Sequence, residues 1–95
     1  MADRDEYVDR LKAKIDEWNA EIDKMQARAS EAGNEARARY EEQLPELRRQ
    51  RDAAQVKMKE AAQSSDKAWS DMRKGFEDAW DDISRSFRSA MDRFR

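Results

Sequence analysis

Apolar side chains recur at helical spacing almost from one end of the chain to the other. The first stripe reads Tyr7, Leu11, Ile15, Trp18, Ile22, Met25, Ala29, Ala32, Ala36, Tyr40, Leu44 and Leu47, which is 40 residues in 11 steps, or 3.64 per step. That period is close to a straight helix and near an 11-residue repeat. The stripe continues less cleanly through Ala54, Met58 and Ala61 or Ala62, with Arg51 interrupting it. The long stem of Arg51 is expected to lie over the core with its charge in water. A second stripe reads Trp69, Met72, Phe76, Trp80, Ile83, Phe87, Met91 and Phe94, after the polar stretch Gln63-Ser64-Ser65-Asp66. Ser and Asp side chains accept hydrogen bonds from the first free N–H groups of a helix, so Ser65 or Asp66 is expected to open the last one.

Two positions strain a single helix from about residue 3 to 62. Gly33 costs about 1 kcal/mol relative to Ala in a helix interior, and Gly33-Asn34 has the chemistry of a cap. Pro45 removes the hydrogen bond to the Glu41 carbonyl and reads as a kink, because Leu44 is a poor N-cap. Breaks at 33–34 and 63–66 would give three helices of near-equal length in an up-down-up bundle. The stripe, however, keeps its phase through 22, 25, 29, 32, 36 and 40, whereas a turn usually resets it. The pattern therefore predicts an all-α fold in one domain, 1–95. A long first helix, hinged at 33–34 and kinked at 45, is followed by a 63–66 linker. A shorter antiparallel helix over about 66–94 completes a helical hairpin or coiled coil. The three-helix bundle is the alternative.

Large apolar residues are unevenly placed: seven in 7–25, five in 40–58 and eight in 69–94. In a hairpin the last helix would fold onto the Ala-rich middle and leave the N-terminal stripe bare over about 30 Å at 1.5 Å per residue. Such a stripe is expected to be covered by a second chain. Self-association, as a dimer or higher, is accordingly expected through Leu11, Ile15, Trp18, Ile22, Met25, Leu44, Leu47, Trp69, Met72, Phe76, Trp80, Ile83 and Phe87. The dimer and the three-helix monomer are related by domain swapping at Gly33-Asn34.

Composition sharpens this picture. Of 95 residues, 44% are charged and 38% apolar, and 15 of the apolar residues are Ala, a thin supply for an isolated small domain. Two Gly and one Pro are too few turn residues for an all-β domain. The absence of Cys excludes disulfides, thiolate metal sites and Cys nucleophiles, and the absence of His excludes His triads and His ligation. No cofactor or metal is expected. With 20 basic and 22 acidic residues the net charge is −2, so no nucleic-acid partner is expected. The acidic start has no apolar run behind it, and no window approaches the length of a membrane span, so a cytoplasmic location is expected.

Three features invite a chemical reading. Glu77-Asp78-Ala79-Trp80-Asp81-Asp82 lacks calcium-loop spacing and reads as a solvated face, with Asp81 placed to pair with Arg85. Arg48-Arg49-Gln50-Arg51 spreads around a helix between Glu46 and Asp52 and reads as ordinary surface charge. The aromatic residues read as core. Their alternative is an interfacial helix, with Arg85, Arg88, Arg93 and Arg95 facing anionic lipid and a local charge of +3 over 83–95. Residues 66–82 carry −3 beside it and disfavour a membrane partner. No nucleophile–base pair can be assembled, so the chain is expected not to be an enzyme.

The segments Asp5-Glu6-Tyr7-Val8-Asp9-Arg10-Leu11-Lys12 and Ile15-Asp16-Glu17-Trp18-Asn19-Ala20-Glu21-Ile22-Asp23-Lys24 resemble the opening of a family of short bacterial proteins. These occur in cyanobacteria and proteobacteria and are described as coiled-coil or stress-response proteins. Tyr40-Glu41-Glu42-Gln43-Leu44 with Leu47 and Arg51-Asp52 is similar to the family's centre. Ala68-Trp69-Ser70-Asp71-Met72-Arg73-Lys74-Gly75-Phe76 and Ala79-Trp80-Asp81-Asp82 are similar to its ending. The resemblance implies a cytosolic helical protein connected with stress, acting through coiled-coil self-association or an unidentified protein partner, with no catalytic motif. It also implies an uninterrupted central helix, from which Gly33-Asn34 and Pro45 depart.

Overall fold

Three helices make up the structure, a computed structural model that describes residues 2–93: α1 (Ala2–Glu31), α2 (Asn34–Gln63) and α3 (Asp66–Asp92). The all-α expectation holds, and the architecture is the three-helix up-down-up bundle. The long first helix of the expected hairpin is absent, because the chain reverses at Ala32–Gly33. The unbroken phase of the first stripe was a misleading guide. Two residues suffice to turn one helix back on the other while both stripes still face the same core.

The direction of each helix follows from contacts between distant residues. Arg4 reaches the Ser64 carbonyl and Arg51 reaches Asn19, so α1 and α2 are antiparallel. Tyr7 packs on Trp69 and Phe76, and Trp18 on Trp80 and Phe87, so α3 runs parallel to α1. Arg93, just past the end of α3, bonds Gln43 in the first half of α2, so these two helices are antiparallel. The rod measures 52 × 17 × 16 Å.

Each turn is held by capping chemistry. At the first, the Ala32 N–H donates to the Ala29 carbonyl at 3.3 Å, and the Arg37 N–H to that of Gly33 at 2.8 Å. Gly33 is extended at φ −68°, ψ 171°, open to any residue, and supplies no side-chain cap. The Arg37 guanidinium bonds the carbonyls of Ala29 at 3.3 Å and Ser30 at 3.4 Å, satisfying acceptors that the end of α1 leaves free. At the second turn Ser65 is the N-cap, its Oγ accepting from the Ala68 N–H at 3.1 Å, as its residue type predicts. Arg4 bonds the Ser64 carbonyl at 2.7 Å and pairs with Asp66 at 3.2 Å, tying the start of α1 to this turn. Pro45 is exposed, and α2 continues through it.

Tyr7, Leu11, Ile15, Trp18, Ile22, Met25 and Ala29 of α1, Leu44, Leu47, Ala54 and Ala61 of α2, and Trp69, Phe76, Trp80, Phe87 and Ala90 of α3 are buried. The N-terminal stripe is thus covered within one chain by α2 and α3, without the second chain that a hairpin would need. Ile83 is half-buried against this core. Met72 stands outside this core, 51% exposed. At 100° per residue it stands about 60° from the line through Trp69 and Phe87, off the face that carries the buried rings. Ala36, at the reversal, is exposed. Phe94, the end of the second stripe, lies outside the described residues.

Candidate functional site

The α1–α3 seam concentrates the distinctive side chains of this sequence. α2 approaches both neighbours closely, whereas α1 and α3 meet through their large rings. In one cluster the Tyr7 ring lies 5.2 Å from Trp69 and 5.9 Å from Phe76, with Trp69 and Phe76 5.7 Å apart. In the other, Trp18 stacks on Phe87 at 4.2 Å and on Trp80 at 5.2 Å. Such offset and tilted ring pairs contribute about 0.5–1.5 kcal/mol each beyond their buried area.

Tyr7 combines packing with a polar anchor. Its hydroxyl donates to the Phe76 carbonyl at 2.9 Å. Burial pushes its pKa up from 10.0 to about 12, with the nearby Arg10 opposing the rise and Glu77, Glu60 and Asp81 adding to it. A phenol held protonated in this way is a hydrogen-bond donor, not a base.

Beside the Trp18 cluster the seam opens into two shallow cavities, of about 290 and 330 Å³, that share Lys14, Ser84 and Arg88. The Ser84 Oγ is buried there without a hydrogen-bond partner. The rim carries both signs of charge: Lys14 pairs with Glu17 at 3.3 Å and Arg85 with Asp82 at 3.6 Å. Arg85 therefore finds Asp82 rather than the expected Asp81. A third cavity, of about 450 Å³, lies near the first turn between Gln26, Ala29, Ser30, Arg37, Glu41, Leu44 and Arg48.

Of the expected association residues, Leu11, Ile15, Trp18, Ile22, Met25, Leu44, Leu47, Trp69, Phe76, Trp80 and Phe87 meet in one internal core, Ile83 flanks it and Met72 faces out. Of the candidate membrane-facing residues, Arg85, Arg88 and Arg93 are exposed, and Arg95 lies outside the described residues. The rings they flank point inward. Arg51 lies as expected, half-buried, its guanidinium on Asn19 and Asp52 at 3.0 Å each. Sequence reasoning missed Arg4, Arg37 and Ser84. Nothing in the local pattern distinguishes them from other polar helix residues, since their partners are set by the turns.

Among the described residues no group of His, Cys, Asp or Glu is placed to hold a metal, and no helix is long and apolar enough to cross a membrane. No protein-family model matches the chain, and neither does any curated protein or solved structure at a significant level. The fold and the seam define its class: a three-helix bundle closed by two aromatic clusters.

Proposed function

We propose that this is a non-enzymatic, stress-associated cytoplasmic protein that works as a helical interaction element, by coiled-coil self-association or by binding a protein partner. One observation carries the reading: the three Trp, Tyr7, Phe76 and Phe87 are all engaged between helices, and apart from the exposed Val56 and Met72 the outer faces are charged and polar helix surface. Specific chemistry is thus directed to holding long helices together. The stress association rests on the resemblance of the Tyr7, Trp18 and Trp69–Trp80 segments to short bacterial stress proteins.

The test is photo-crosslinking in the source cells from exposed positions on each helix, with and without stress. The reading expects one dominant adduct, with a second copy or with one protein, whose yield changes with stress. Absence of any adduct above background under both conditions would overturn it.

A further inference from the structure

We infer that the Ala32–Gly33 turn is a swap hinge, and that the partner it admits is a second copy of this chain, which exchanges α1. The inference deepens the self-association reading above and rests on it. Three observations carry it. The first is phase: the stripe crosses the turn without a slip, so a straightened α1–α2 helix presents one apolar face from Tyr7 to Leu47 that carries on past Arg51 to Ala61. The second is register. The α1–α2 contacts pair residue 4 with 64 and 19 with 51, both centred within one residue of position 34. Two straightened helices crossing antiparallel about that point restore each of these pairs between chains. Each α1 then lies on the α2 and α3 of its partner, and the Tyr7 bond to the Phe76 carbonyl becomes intermolecular.

The third observation is the turn itself. No positive φ locks it, a Cβ on Gly33 would meet nothing within 4 Å, and the N-cap lacks a side-chain bond. The Arg37 N–H bond to the Gly33 carbonyl spans four residues and persists in a continuous helix. The Arg37 guanidinium bonds to the Ala29 and Ser30 carbonyls belong to the closed form, because in a continuous helix those carbonyls accept from the N–H groups of Gly33 and Asn34 instead of standing free. At the crossing point the residues are small. Ala32, half-buried, and Ala36, exposed at the end of the monomer, would each face the other's copy across the axis and let the two helices approach closely.

The experiment combines light scattering on size-separated full-length chain with isotope-filtered NOE measurements on dimers refolded from mixed labelled and unlabelled protein. The wild type is expected to give a compact monomer and an elongated dimer, with Tyr7–Trp69 and Trp18–Phe87 contacts between chains in the dimer. Gly33→Ala removes an interior helix glycine from both chains of the open form and should raise the association constant by about 30-fold. Arg37→Ala should shift the balance the same way. Asn34→Pro should weaken the dimer strongly. Proline suits the first helical position after a residue at ψ 171°, but within a continuous helix it removes the bond to the Ser30 carbonyl and crowds that turn in both chains of the dimer. Its far-UV circular dichroism should match the wild type.

A dimer whose aromatic contacts all lie within one chain would overturn the swap and leave the self-association reading standing. So would an Asn34→Pro chain that dimerises as well as the wild type. A chain that stays monomeric in the wild type, Gly33→Ala and Arg37→Ala up to millimolar concentration would overturn both the swap and self-association.

Discussion

Burial of the Tyr7 phenol makes folding sensitive to alkaline pH. Its pKa is raised from 10.0 to about 12 in the folded chain, chiefly by desolvation, so the folded state holds the proton more tightly than the unfolded state. The resulting stabilisation, about 2–3 kcal/mol, is fully present below pH 10 and is lost as the pH rises towards 12. Urea midpoints measured across that window should fall more steeply for the wild type than for Tyr7→Phe, which has no phenol to ionise. Equal slopes would mean that Tyr7 is not buried in solution. Trp18 is the residue whose truncation should cost most, because it alone stacks on two rings of the second cluster. Trp18→Ala is expected to lose about 3–5 kcal/mol in chemical denaturation. A loss below 1 kcal/mol would show that the cluster does not form.

Element boundaries depend on capping, and the two turns differ in how they are capped. Ser65 bonds the Ala68 N–H, so Ser65→Ala should destabilise the protein by about 1 kcal/mol, read as a lowered denaturation midpoint with unchanged m-value. No change would mean that α3 begins elsewhere. This turn was legible in the sequence because Ser and Asp stand together between two stripes. The turn at Ala32–Gly33 was not, since it leaves the helical phase intact and its stabiliser, Arg37, acts on carbonyls of the preceding helix. The periodicity of each stripe marked nearly the whole core. It could not say which rings meet, because pairing Trp18 with Phe87 requires the register of two helices 69 residues apart in the chain. Met72 shows the same limit: a 3.6-residue period places it near the seam, about 60° from the line through Trp69 and Phe87, yet it is 51% exposed.

At the scale of the whole molecule, the bundle sets the aromatic face of α3 against α1, away from any lipid surface. Exposing it would require opening a bundle whose stability is on the order of 5–15 kcal/mol. Basic residues near an anionic membrane contribute about 1 kcal/mol each. Of these, Arg85 is paired with Asp82 and Arg93 bonds Gln43. Weak or no binding to anionic vesicles is therefore expected at physiological salt. A saturable blue shift of Trp fluorescence at submillimolar lipid, reduced by Arg85→Ala with Arg88→Ala, would instead make α3 a membrane anchor. The central structural claim is that α1 folds back at residues 32–33 and brings its rings onto α3, and a NOESY spectrum of the monomeric fraction tests it most directly. Strong cross-peaks from Tyr7 to Trp69 and from Trp18 to Phe87 are predicted, with the sequential helical pattern interrupted at Ala32 and Gly33. Helical connectivities running unbroken through residues 30–36, with none of these ring contacts, would contradict the account and restore the two-helix hairpin.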